Sequence, residues 1–117
     1  MTTNEMMKRT KKFAIDCGHL ILSLEINSVN RAYSNQLIRS AGSVGANYRA
    51  TRRAKSNAEF INKFKIVEEE LDESLFFLEM IVEFNIDKRD KIASIYKRRT
   101  TFKSDCFYFK NIKKKIE

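Results

Sequence analysis

Apolar residues return at intervals of three and four along nearly the whole chain, and its 117 residues contain no proline to interrupt them. That interval is the period of one helix face. Met6, Phe13, Cys17, Leu20 and Leu24 share such a face and predict a first helix from about Asn4 to Ile26, with Asn27 and Ser28 as the turn. Tyr33, Leu37, Ala41, Val44 and Tyr48 predict a second, from about Asn30 to Lys55. Ser56 stands three residues before Glu59, a capping box that opens a third helix. Its stripe runs through Phe60, Phe64, Val67, Leu71, Leu78 and Ile81, with Ser74 in register, until Asn85 and Ile86 break it. Asp87 can cap a fourth helix carrying Ile92, Ile95, Phe102, Cys106, Phe109 and Ile116. Helices of about 25 residues, roughly 38 Å each, joined by short loops predict an all-α, up-down-up-down antiparallel four-helix bundle, one domain over residues 1–117.

Within the second helix, Ser40, Ala41, Gly42, Ser43, Gly45 and Ala46 form a stretch almost without bulk. Each glycine costs about 1 kcal/mol relative to alanine in a helix interior, which implies close approach by a neighbour, with Phe64 or Leu71 filling the groove. A phosphate-binding loop would need a Lys-Ser/Thr pair after the glycines and a preceding strand, and has neither. The third helix has the opposite character. Leu75, Phe76, Phe77, Met80, Val82 and Phe84 make its second half apolar on nearly every side, and Phe107 and Tyr108 add a further surplus in the fourth. A bundle helix buries one face, so Phe76, Phe77, Met80 and Phe84 are candidates for a homo-oligomer interface.

The net charge of +8 is unevenly spread. Residues 28–58 hold six basic groups and no acid, residues 59–87 two basic and nine acidic, and residues 88–117 eleven basic and three acidic. Acids of the third helix can pair with arginines of the second, yet basic groups remain in excess. Arg49, Arg52, Arg53 and Lys55 form one basic cluster; Lys97, Arg98, Arg99 and Lys103 form another. Lys110, Lys113, Lys114 and Lys115 form a third. Such clusters suit a polyanion, because each neutralised phosphate releases a counterion, and Tyr48 and Tyr96 beside them could stack on unpaired bases. The bland alternative is a solvated charged face. No sequence-reading element is present, so nucleic acid, RNA or DNA, would be held by its backbone. A protein-interaction scaffold with no nucleic-acid role is the rival reading.

Nothing in the pattern points to catalysis, a cofactor or a metal. The single histidine, His19, lies near the apolar face of the first helix, a place for a packed structural residue. Helical ribonucleases carry an arginine four to six residues before such a histidine; Phe13, Ala14 and Ile15 stand there instead. Glu68, Glu69 and Glu70 are consecutive and point in different directions on a helix. Cys17 and Cys106 have no metal-ligand spacing and read as reduced core thiols of a cytoplasmic protein. The most apolar window, Leu75–Phe84, holds two glutamates and is too short to span a bilayer.

The stretch from Gln36 to Ile81, with "RSAGSVGANYRA", "RAKSNAEF" and "EEELDESLFFLE" as its cores, resembles the four helix bundle protein family. Members include the protein encoded in intervening sequences of bacterial 23S ribosomal RNA genes, and the accessory variability determinant of diversity-generating retroelements is a relative. The resemblance implies a ring of bundles, typically a homopentamer, and in the retroelement relative a basic barrel that binds nucleic acid and a reverse transcriptase. It implies nucleic-acid contact for Arg49, Arg52 and Arg53, and inter-helix or inter-subunit contacts for Arg39, Ser43, Asn47, Glu69 and Glu73. Many members have a proline in the first loop, where this chain reads "NSVNRAYSN".

Overall fold

Short polar side chains decide where each helix starts and stops. The computed structural model describes residues 3–98. Helix α1 spans Thr3–Ser23, α2 Ser28–Thr51, α3 Asn57–Phe84 and α4 Arg89–Lys97, with one 3₁₀ turn at Ile86–Lys88 before α4. Helix α1 stops short of the predicted Ile26. Ser23 donates its hydroxyl to the Leu20 carbonyl at 2.6 Å, and extended Asn27 accepts the Asn30 N–H at 2.8 Å, starting α2 two residues early. Helix α2 ends at Thr51 rather than Lys55. There Arg52, Arg53 and Ala54 turn back with tighter bonds to the carbonyls three residues before them.

The capping box forms with one difference. Ser56 accepts the Glu59 N–H at 3.1 Å, while the Glu59 carboxylate accepts the N–H of Lys55, one residue before the cap. Asp87 does not cap α4. The 3₁₀ turn carries the chain past it, and Lys88 opens the helix with no side-chain cap. The part of the fourth helix predicted beyond Arg98, with Phe102, Cys106, Phe109 and Ile116, lies outside the described residues.

The antiparallel helices close on the stripes expected of them, forming an all-α four-helix bundle. Phe13, Cys17 and Leu20 of α1 are buried with Leu37, Ala41 and Val44 of α2, Val67, Leu71, Leu78 and Ile81 of α3, and Ile92 and Ile95 of α4. Each large aliphatic or aromatic member contributes about 1.5–3 kcal/mol by leaving water. Several buried polar groups inside this core are matched. The Ser40 and Ser74 hydroxyls meet at 2.8 Å across the α2–α3 seam, and Ser74 also lies 2.8 Å from the Glu70 carbonyl. Thr10 turns its hydroxyl back to the Met6 and Met7 carbonyls.

At the end where α2 begins and α3 stops, Asn30 and Asn85 exchange two amide hydrogen bonds, at 3.0 and 2.8 Å. Asn30 donates further to the Glu25 carbonyl and Asn85 to that of Ile81, each at 2.8 Å. Both residues are buried. One amide pair thus joins the α1–α2 turn to both helices.

The small-residue stretch is used differently from expectation. Ser40 and Ala41 face the core, but Gly42 faces solvent, with nothing within 4 Å of where a Cβ would stand. Gly45 faces Thr10 of α1 rather than Phe64 or Leu71; a Cβ there would meet the Thr10 backbone and hydroxyl at 3.6 Å, ordinary contact. Phe64 instead meets Tyr48 edge-on, ring centres 6.0 Å apart. Only a side chain longer than alanine is excluded at Gly45, and nothing in the structure explains Gly42.

Gly42→Ala should therefore raise stability by about 0.5–1 kcal/mol in urea unfolding, while Gly45→Leu should lower it by about 1–3 kcal/mol by overpacking. A loss on Gly42→Ala would contradict its open surroundings. Asn30→Leu, which strands the Asn85 amide, should cost about 1–3 kcal/mol. Adding Asn85→Leu should return part of that loss, and equal losses in the single and double variants would argue against a shared amide pair.

Candidate nucleic-acid interface

Helix direction gathers cations at the other end of the bundle. The first turns of α1 and α3 meet the last turns of α2 there. Exposed Lys8, Arg9 and Lys11 belong to α1, Arg49 to the last turn of α2, and Arg52, Arg53 and Lys55 to the link into α3. Arg52 is fixed beside α1 by donating to the Met7 thioether sulfur at 3.1 Å. Arg49, Arg52, Arg53 and Lys55 have no carboxylate within 4.0 Å among the described residues. The acid nearest in sequence, Glu59, is already engaged by the Lys55 N–H and, at 3.8 Å, by Lys63.

Two acids of α3 meet an arginine of α2. Arg39 reaches Glu70 at 3.4 Å and also Glu73. Glu70 takes the place expected for Glu69, which is exposed and has no such partner among the described residues. Glu69 and Glu70 both neighbour Glu73 on the helix surface, and the side of α3 that meets Arg39 is the one carrying Glu70. Asn47 donates to the Ser43 carbonyl at 2.8 Å, so that pair stays within α2. This exposed ion cluster adds little stability but favours one pairing of neighbours.

Several other expectations change. Tyr48 is 2% exposed and cannot stack on a base from outside. Tyr96 donates its hydroxyl to Glu79 at 2.8 Å. Arg98 turns inward onto Asp16 of α1, which Lys12 also meets at 3.4 Å, so its charge is already matched. Lys97 is exposed on the last turn of α4. Arg99, Lys103, the Lys110–Lys115 cluster, Phe107 and Tyr108 lie outside the described residues. His19 is exposed rather than packed, since the buried stripe passes through Cys17 and Leu20 on either side of it. Burial pushes the Cys17 thiol up to about 12, leaving it protonated and a poor nucleophile.

On the α2–α3 flank, Phe76 and Phe84 are 52% and 56% exposed, while Phe77 and Met80 are half-buried. Tyr33 of α2 stacks on Phe84, ring centres 6.0 Å apart, and Phe76 meets Phe77 at 5.3 Å. Ile15, Leu22 and Ile38 form a further exposed apolar set on α1 and α2. Periodicity did not single it out, because each residue falls between core positions. Among the described residues no helix is long and apolar enough to cross a membrane, and no three His, Cys, Asp or Glu side chains converge as a metal site would require.

Four antiparallel helices, an arginine-rich corner and a net charge of +8 define a basic helical-bundle protein. The chain belongs to the 23S rRNA-intervening sequence protein family, whose family model matches residues 2–104. Among solved structures it is similar to a protein of unknown function from the S23 ribosomal protein family of Bacteroides thetaiotaomicron VPI-5482. That likeness has 29% identity and a TM-score of 0.79, and covers 93% of this chain and 97% of the other. No curated protein matches the chain.

Proposed function

We propose that this protein is a non-enzymatic, cytoplasmic homo-oligomer that binds nucleic acid through phosphates at the basic end of each bundle. The observation that carries the reading is the set Arg49, Arg52, Arg53 and Lys55, exposed and, among the described residues, without a carboxylate within 4.0 Å. Four such cations, on the last turn of α2 and the link after it, form a phosphate site of the backbone-positioning kind, which carries little base preference. Membership of a family named for an intervening sequence of ribosomal RNA supports RNA as the ligand. The exposed rings of Phe76 and Phe84 support assembly into a ring of copies, a pentamer by family resemblance, since apolar area of this kind is stabilised when a partner removes it from water.

Fluorescence anisotropy with a labelled RNA should give affinity that falls with salt. Each neutralised phosphate contributes a slope of about −0.7 on a single strand, so four contacts predict a slope of about −3 in log K against log salt. Arg52→Glu with Arg53→Glu should weaken binding about tenfold or more and flatten that slope by about 1.5. Undetectable binding at low salt would leave the scaffold reading standing. Independently, native mass spectrometry should show a pentamer at micromolar concentration, and Phe76→Glu with Phe84→Glu should release monomers of unchanged helicity. A monomeric native protein would remove the assembly.

A further inference from the structure

The basic end also contains a recess, of about 300 Å³, between the last turn of α2 and the first turns of α3. Tyr48, Thr51, Arg52, Ala54, Phe60 and Phe64 line it. Two of its walls are aromatic. Phe60 is half-buried and lies 5.2 Å from Phe64, ring centre to ring centre, and Phe64 meets the buried ring of Tyr48 at 87°. Arg52 belongs to the wall itself, and Arg49 and Arg53 flank it in sequence.

We infer that this recess receives one unpaired base of a single-stranded RNA, laid against Phe60, while Arg49, Arg52 and Arg53 hold the phosphates on either side. The inference rests on the phosphate-binding reading above and adds a strand class to it. Charge and shape argue for this occupant together. An arginine in the same wall as two aromatic rings matches a nucleotide, which joins a flat ring to an anion, better than it matches an apolar peptide side chain, which would leave Arg52 without an anion. Base-on-aromatic stacking tolerates any base, because every base has a π-face. A duplex keeps its bases paired and stacked inside, so it meets only the arginines.

The test compares a 15-nucleotide oligouridylate with a 15-base-pair RNA duplex, by anisotropy at one low salt concentration, on the full chain. Phe60→Ala removes the stacking surface, and Ala54→Phe fills the recess without deleting a ring; circular dichroism melts check that both variants fold. Each should weaken oligouridylate binding about fivefold to a hundredfold, the equivalent of one lost base stack, and leave duplex binding unchanged. Equal losses on both RNAs, or no loss in either folded variant, would overturn the base site while leaving phosphate binding intact. Failure of the unaltered protein to bind either RNA would instead overturn the phosphate reading, and the base site with it.

Discussion

The α2–α3 pair is the constraint on which the rest of the bundle depends. Its seam is held to one register by neutral polar contacts at two heights. The Ser40 and Ser74 hydroxyls touch at 2.8 Å in the middle, and the Asn30 and Asn85 amides exchange bonds at one end. A sliding apolar interface loses little when it shifts by one turn. A buried amide that loses its partner costs about 1–3 kcal/mol. These contacts therefore select one alignment of two long helices, and the Ser56 cap fixes where the second of them begins. Helices α1 and α4 then dock on a frame whose register is already set.

Most of this frame was legible in the sequence, because the core stripes are continuous and differ from their surroundings in polarity. Phe13, Cys17, Leu20, Leu37, Val44, Val67, Leu71 and Ile81 were all placed inward by spacing alone, and all are buried. Ser56 was legible too, since its cap is a local interaction within three residues. The misses share a different property. Asn30 and Asn85 are 55 positions apart, and each looks like an ordinary turn residue until the other is beside it. Gly42 and Gly45 lie three apart and seemed equivalent, yet only the crossing of α1 decides that one meets Thr10 and the other water.

The candidate site was legible in composition and not in detail. The four basic residues Arg49, Arg52, Arg53 and Lys55 have no carboxylate within 4.0 Å among the described residues, and Glu59, the acid nearest in sequence, is engaged by the Lys55 N–H and by Lys63. Tyr48 failed as a stacking residue for the reason that it succeeded as a core residue: its position on the Leu37–Ala41–Val44 stripe turns it inward. Among the described residues Phe60 is a half-buried ring at that end, one turn before Phe64 on the next helix. Arg98 shows the limit of reading charge as a run, since its neighbour in space is Asp16, 82 positions away in sequence.

Charge separation along the bundle explains why an acidic helix beside a basic one does not cancel it. Arg39 marks the height at which Glu70 and Glu73 sit, midway along α3. Arg52 lies 13 residues further along the chain, and at 1.5 Å per helical residue that is about 20 Å. The Debye length at physiological ionic strength is about 8 Å, so the mid-bundle carboxylates are more than two screening lengths from the basic turn. Their pairing with Arg39 weakens their outward field further. The corner around Arg49, Arg52 and Arg53 is consequently little affected by those carboxylates; the acids that share its end of the bundle include Glu5, in the first turn of α1, and Glu59, in the first turn of α3. Had the same carboxylates stood three to four turns earlier in α3, they would face Arg49 and Arg52 directly, with the net charge of the chain unchanged.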